Sequence, residues 1–113
     1  MAFLLDMDGV LIRGKTLVPG ADAFITRLRT KGIPFMVLTN NSRFTPSDHC
    51  TRLKRIGLDI PEANIFTSAL STARFMQKQH PGGRAYVIGE SGMFSALHEA
   101  GYTITQEDPD YVV

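Results

Sequence analysis

Two aspartates one residue apart, Asp6 and Asp8, close the short apolar run Ala2-Phe3-Leu4-Leu5, and Gly9 follows at once. The run has the length and composition of a buried strand. Consecutive strand residues point to opposite faces, so positions 6 and 8 share a side if the strand continues. The C-terminal ends of strands are where open α/β sheets hold their ligands, and Gly9 lets the chain turn away sharply beyond the pair. Two carboxylates about 4 Å apart repel by about 4 kcal/mol at an effective dielectric of about 20. Such a pair calls for a cation, a shared proton or strong hydrogen bonds. Mg²⁺, a hard cation that takes oxygen ligands, is the economical answer, and it makes Asp6 and Asp8 the candidate metal ligands. Both residues equally suit a turn that caps a strand, where Asp is common. An EF-hand loop is excluded, because Val10 and Leu11 stand where it needs an acidic or amide residue and a glycine.

The elements that must position this pair follow from periodicity and punctuation. A turn-rich segment, Val10 to Val18, leads to a helix from near Pro19-Gly20 to Lys31, with Phe24, Ile25 and Leu28 as its apolar stripe and Gly32 as its stop. Pro34 to Leu38 reads as a second buried strand ending in Thr39-Asn40-Asn41-Ser42. Thr45-Pro46-Ser47-Asp48 starts a helix that buries Cys50, Leu53 and Ile56 and stops at Gly57. Asn64-Ile65-Phe66 is a short strand, after which Thr67 or Ser68 caps a helix to Gln79 with Ala69, Ala73 and Met76 on one side. His80-Pro81-Gly82-Gly83 is a linker. Ala85 to Ile88, a helix around Met93 to Ala100, and the strand Tyr102-Thr103-Ile104 complete the pattern. Alternating strands and helices predict an α/β fold with a Rossmann-like parallel sheet and right-handed crossovers. Neighbouring parallel strands would bring Asp6, Asp8 and Thr39 to one rim. The chain closes on Asp110-Tyr111-Val112-Val113, the opening of a strand with no partner evident in the sequence, which suggests a piece of a longer protein.

Phosphoryl transfer fits these groups. A phosphate monoester is anionic near neutral pH, and an anionic nucleophile reaches it only when cations and oriented amides offset the repulsion. A metal at Asp6 would polarise a phosphate oxygen, and the Thr39 hydroxyl with nearby amides at Thr39 and Asn40 would hold the others. Thr39-Asn40-Asn41 can also be a plain strand-to-helix turn.

The remaining composition narrows the field. The chain has 113 residues, 43% hydrophobic, with 12 basic and 11 acidic side chains for a net charge of +1. Such a balance leaves no electrostatic footprint for a nucleic-acid polymer. One cysteine, Cys50, excludes an internal disulfide and suits a reducing, cytoplasmic setting. The apolar start is interrupted by Asp6 and Asp8 before a signal core or membrane span can form. His49, His80 and His98 lack metal-ligand spacing and read as ordinary helix or surface residues. Oligomeric state is left open.

At this point the sequence resembles the haloacid dehalogenase superfamily of phosphohydrolases. Asp6-Met7-Asp8-Gly9-Val10-Leu11 resembles its first motif and Leu38-Thr39-Asn40-Asn41 its second. Val18-Pro19-Gly20-Ala21, Leu38-Thr39-Asn40 and Phe66-Thr67-Ser68-Ala69 together are similar to the NagD-like branch, which acts on nucleotide and other small phosphate esters. The resemblance implies that Asp6 attacks phosphorus to give an aspartyl phosphate and that Asp8 serves as acid, then base. It further implies that Thr39 and Asn40 contact the phosphoryl group alongside Asp8. The Asp6 carboxylate and the Asp8 carbonyl would hold Mg²⁺. Residues 1–79 would form the first part of the core and 80–113 the beginning of an α/β cap, with Val10 to Val18 as a mobile flap. The partner is a small phosphorylated substrate, nucleotide or sugar phosphate, with no nucleic-acid polymer and no membrane. The superfamily's later lysine and acidic motifs have no counterpart here, since Lys15, Lys31 and Lys54 are wrongly placed. The 113 residues alone are therefore expected to bind Mg²⁺ weakly and turn over poorly.

Two other readings compete. Gly9-Val10-Leu11-Ile12-Arg13-Gly14-Lys15-Thr16 matches the P-loop pattern letter for letter. A P-loop joins a strand directly to a helix, however, and Leu17-Val18-Pro19-Gly20 interrupts that continuation. The second alternative is a non-catalytic α/β binding module, since fold alone does not guarantee activity. Gly89-Glu90-Ser91-Gly92 could hold phosphate, but reads better as a tight strand-to-helix turn.

Overall fold

A computed structural model describes residues 1–113. The chain forms two compact units, one of residues 1–39 and 46–66, the other of residues 40–45 and 67–113.

In the first unit β1 (Phe3–Asp6) pairs in parallel with β4 (Phe35–Thr39), Phe3 opposite Phe35 and Asp6 opposite Leu38. A strand pair of this kind needs a crossover, and α1 (Ala21–Thr30) supplies it. Ala21, Ile25 and Leu28 are buried on one face of α1, while Phe24 sits at its margin and meets the Phe3 ring edge-on at 5.5 Å. Gly32, at φ +64°, closes the helix, with its amide on Arg29 and the Ile33 amide on Leu28. That left-handed geometry is cheap only for glycine. Further along, α2 (Pro46–Arg55) precedes a 3₁₀ turn (Glu62–Asn64) and β5 (Ile65–Thr67), which lies beside β4.

Two expectations are corrected here, and a third is sharpened. The first strand is not buried: it lies at the edge of the order β1-β4-β5, and Leu4 is 74% exposed. Only the face carrying Phe3, Leu5 and Met7 meets the core, so composition overstated its burial. In α2 the buried stripe is His49 and Leu53, with Cys50 and Ile56 only partly covered. The Cys50 thiol donates toward the Ile60 carbonyl at 3.1 Å. The turn-rich segment is a hairpin of β2 (Ile12–Arg13) and β3 (Thr16–Leu17), reversing through Gly14 and Lys15. Gly14 has φ +60°, the sign a two-residue hairpin turn wants at its first position.

The second unit centres on β6 (Arg84–Tyr86), flanked in parallel by β7 (Thr103–Ile104) and β8 (Tyr111–Val112). The final residues are thus paired rather than left as a lone strand opening. On this sheet rest α3 (Ser68–Gln79) and α4 (Ser91–Glu99). As expected, Ala69, Ala73 and Met76 form the inner face of α3, and Thr67 caps it, its hydroxyl accepting the Leu70 amide at 3.2 Å. Tyr102 is buried beneath, its hydroxyl reaching the Met76 carbonyl at 2.8 Å and that of His80.

Leu53 is 2% exposed in the core of the first unit. Leu53→Ala is expected to cost about 2–5 kcal/mol of stability, read by urea unfolding. In the second unit, burial first, then Tyr111 and Asp110, raise the Tyr102 pKa above its ordinary 10.0. A folded state that holds this proton more tightly is stabilised fully below pH 10 and loses that stabilisation as pH rises through the folded value. Tyr102→Phe should therefore be less stable at neutral pH yet show a shallower fall of Tm above pH 10 in alkaline melts.

Candidate functional site

The site starts from the pleat of β1. Its pairing with β4 carries one residue past Asp6, the Met7 amide donating to the Leu38 carbonyl at 3.0 Å. Met7 is 2% exposed, whereas Asp6 and Asp8 on either side of it are open to solvent. The two carboxylates thus share one side, as the alternation predicted. Gly9 then turns the chain at φ +84°, its amide reaching the Ile12 carbonyl at 2.7 Å. The amides of Leu11 and Ile12 both converge on the Met7 carbonyl, at 3.0 and 3.1 Å. Both side chains are buried, which roots the hairpin in the core directly beside the acidic pair.

Thr39 ends β4 and is 4% exposed. Its hydroxyl donates to Asp8 Oδ2 at 3.3 Å, a long bond that nonetheless joins the ends of the two strands. Asp6, Asp8 and Thr39 are therefore gathered within the first unit by strand register and this hydrogen bond. None of the ion pairs of the chain takes in Asp6 or Asp8. Asn40 follows Thr39 in the chain but packs with the second unit, where Ser68 Oγ donates to its carbonyl at 3.0 Å. That serine contact was not anticipated. Its only signal was a second hydroxyl beside the Thr67 cap.

Asp6 and Asp8 offer hard oxygen donors of the kind Mg²⁺ takes, and no third acidic, histidine or cysteine side chain joins them in a cluster. Mg²⁺ commonly binds through one or two carboxylates and keeps waters or substrate oxygens for the rest. The donor set fits that pattern.

The P-loop alternative does not survive. Its Lys15 and Thr16 lie in the β2–β3 hairpin, and the next helix begins only at Ala21. Val10-Leu11-Ile12, odd as a phosphate cradle, is explained by the burial of Leu11 and Ile12.

Known proteins agree with this geometry. A family model described as haloacid dehalogenase-like hydrolase matches residues 3–103, and the chain belongs to that family. Dihydroxyacetone phosphatase of Corynebacterium glutamicum (strain R) is 52% identical over 113 residues, 100% of this chain and 41% of that protein. Ribonucleotide monophosphatase NagD of Escherichia coli (strain K12) is 40% identical over 110 residues, covering 97% of this chain and 44% of NagD. The solved structure of NagD from E. coli K-12 superposes with a TM-score of 0.92 over 98% of this chain and 44% of that one. These matches bear out the NagD-like resemblance and the α/β class. The chain spans less than half the length of these relatives.

Thr39→Val keeps the shape of the side chain and deletes the hydroxyl bond to Asp8. It is expected to cost about 1 kcal/mol in chemical unfolding, with Thr39→Ser costing less.

Proposed function

We propose that the full-length protein is a Mg²⁺-dependent phosphomonoester hydrolase that acts on small nucleotide or sugar phosphates through an aspartyl phosphate at Asp6. The observation that carries this reading is the joining of the two strand ends, Asp6 and Asp8 on one exposed side with Thr39 hydrogen-bonded to Asp8. Membership of the hydrolase family supports it, as do relatives named as phosphatases of dihydroxyacetone phosphate and of ribonucleotides.

In this mechanism a carboxylate oxygen of Asp6 attacks phosphorus while the bond from phosphorus to the ester oxygen breaks. Asp8 gives its proton to the departing alkoxide. It then takes a proton from water, whose oxygen attacks the phosphoryl group, releasing inorganic phosphate and restoring Asp6. The Thr39 hydroxyl and the Asn40 amide hold phosphoryl oxygens in line, and Thr39 also steadies Asp8. The Asp6 carboxylate and the Asp8 main-chain carbonyl would hold Mg²⁺, which would supply positive charge to offset the repulsion between Asp6 and the substrate dianion. Residues from about His80 onward are the start of the substrate-selecting α/β cap, and 1–79 the first part of the core. A cytoplasmic enzyme with a small phosphorylated partner goes with this reading; no helix is long and apolar enough to cross a membrane.

Asp6→Asn should abolish Mg²⁺-dependent hydrolysis of p-nitrophenyl phosphate by the full-length protein, and Lys15→Ala should leave it nearly intact. Beryllium fluoride should be trapped at Asp6 and not in the Asn variant. Persisting turnover in Asp6→Asn would sink the covalent route. A protein that neither turns over nor traps the fluoride would instead be a binding module.

A further inference from the structure

The turn Gly89-Glu90-Ser91-Gly92 does more than start a helix. Gly92 is buried in the first turn of α4, and its amide donates to the Arg43 carbonyl at 3.0 Å. Ser91 Oγ donates to the same carbonyl at 3.2 Å. A Cβ on Gly92 would stand 2.3 Å from the Ser42 carbonyl oxygen and 2.6 Å from that of Phe44. Those are backbone atoms, so no rotamer change relieves the clash; the segment itself would have to move. Glycine is a poor helix former, and this close approach explains why one sits inside α4.

The gripped segment is the one that follows Thr39. Residues 40–45 pack with the second unit and are tied down along their length. Ser68 holds the Asn40 carbonyl at 3.0 Å, and Asn41 Oδ1 accepts the Arg43 amide at 3.1 Å. Arg43 Nε pairs with Glu90 Oε1 at 3.0 Å, although both groups are largely exposed and the pair contributes little by itself. The grip therefore rests on the close backbone approach at Gly92 and on the paired Gly92 and Ser91 bonds to the Arg43 carbonyl.

We propose that Gly92 is a positioning residue for phosphoryl binding: lacking a side chain, it lets α4 seat against residues 42–44 and so fixes the backbone that presents Asn40. This rests on the substrate-binding role of Asn40 given above. Gly92 touches no substrate and acts only through the segment it holds.

The test is a double-mutant cycle on the full-length protein, reading kcat and KM for p-nitrophenyl phosphate and hydrogen exchange at residues 40–45. Gly92→Ala is expected to lower kcat/KM about 10–100-fold, the scale of a displacement near 1 Å, with faster exchange at 40–45. In an Asn40→Pro background, which removes the main-chain N–H that the segment presents, the same substitution should cost less than about 3-fold, because the group it positions is already gone. Gly89→Ala serves as the control: the nearest neighbours of an added Cβ there lie at 3.6 and 3.7 Å, and activity should be unchanged. Fully additive losses, or a Gly92→Ala protein with parental kcat/KM, overturn the proposal. An Asn40→Pro protein with parental kinetics instead refutes the phosphate role of Asn40, and the functional meaning of the clamp falls with it. Should Gly92→Ala fail to fold, Ser91→Ala decides. Loss of one hydroxyl bond should cost about 5-fold in kcat/KM with faster exchange at 40–45, and no change in either overturns the idea.

Discussion

Parallel pairing of β1 with β4 is the constraint on which the rest depends. Once Asp6 stands opposite Leu38, the next residues of both strands must emerge at the same rim, and side-chain alternation does the remaining sorting. Met7 turns inward to the core, Asp6 and Asp8 turn outward, and Thr39 arrives with its hydroxyl facing Asp8. A slip of one residue would reverse every one of these assignments. The apolar face of α1 and the buried side chains of β4 therefore serve the chemistry indirectly. Ile25, Leu28, Phe35 and Val37 hold the register that keeps two like charges side by side.

The acidic pair itself is poorly suited to a folded surface without a ligand. No basic side chain neutralises it, and the Thr39 hydroxyl meets it only through a long hydrogen bond to Asp8. Water screens much of the repulsion because both carboxylates are exposed. A cation bound between protein and phosphate would meet oxygen donors already in place. Such preorganisation is what electrostatic catalysis needs, because little rearrangement is then left for the moment of reaction.

Much of this was legible in the residues. Strand ends carrying Asp6, Asp8 and Thr39, the Thr67 cap and the Ala69-Ala73-Met76 stripe all follow from short-range pattern, and the structure has them there. The failures have a common cause in contacts distant along the chain. Within these 113 residues Leu4 is exposed on the outermost strand of three, which no local window reveals. His49 joins Leu53 as a buried residue of α2, while Cys50 is only partly covered, its thiol meeting the Ile60 carbonyl beyond the helix. Ser68 and Gly92 matter through partners that lie 28 positions away for the serine and farther still for the glycine.

The hairpin beside the acidic pair has a built-in limit on its travel. Leu11 and Ile12 are sunk in the core, their amides share the Met7 carbonyl, and the Val18 amide closes the base on Leu11 at 2.9 Å. Swinging the whole arm would mean pulling two aliphatic anchors out of the interior and breaking their shared seat on the Met7 carbonyl at the same time. Bending is left to the tip around Gly14 and Lys15, where nothing is buried. The arm thus has a stiff root and a pliable fingertip at its far end.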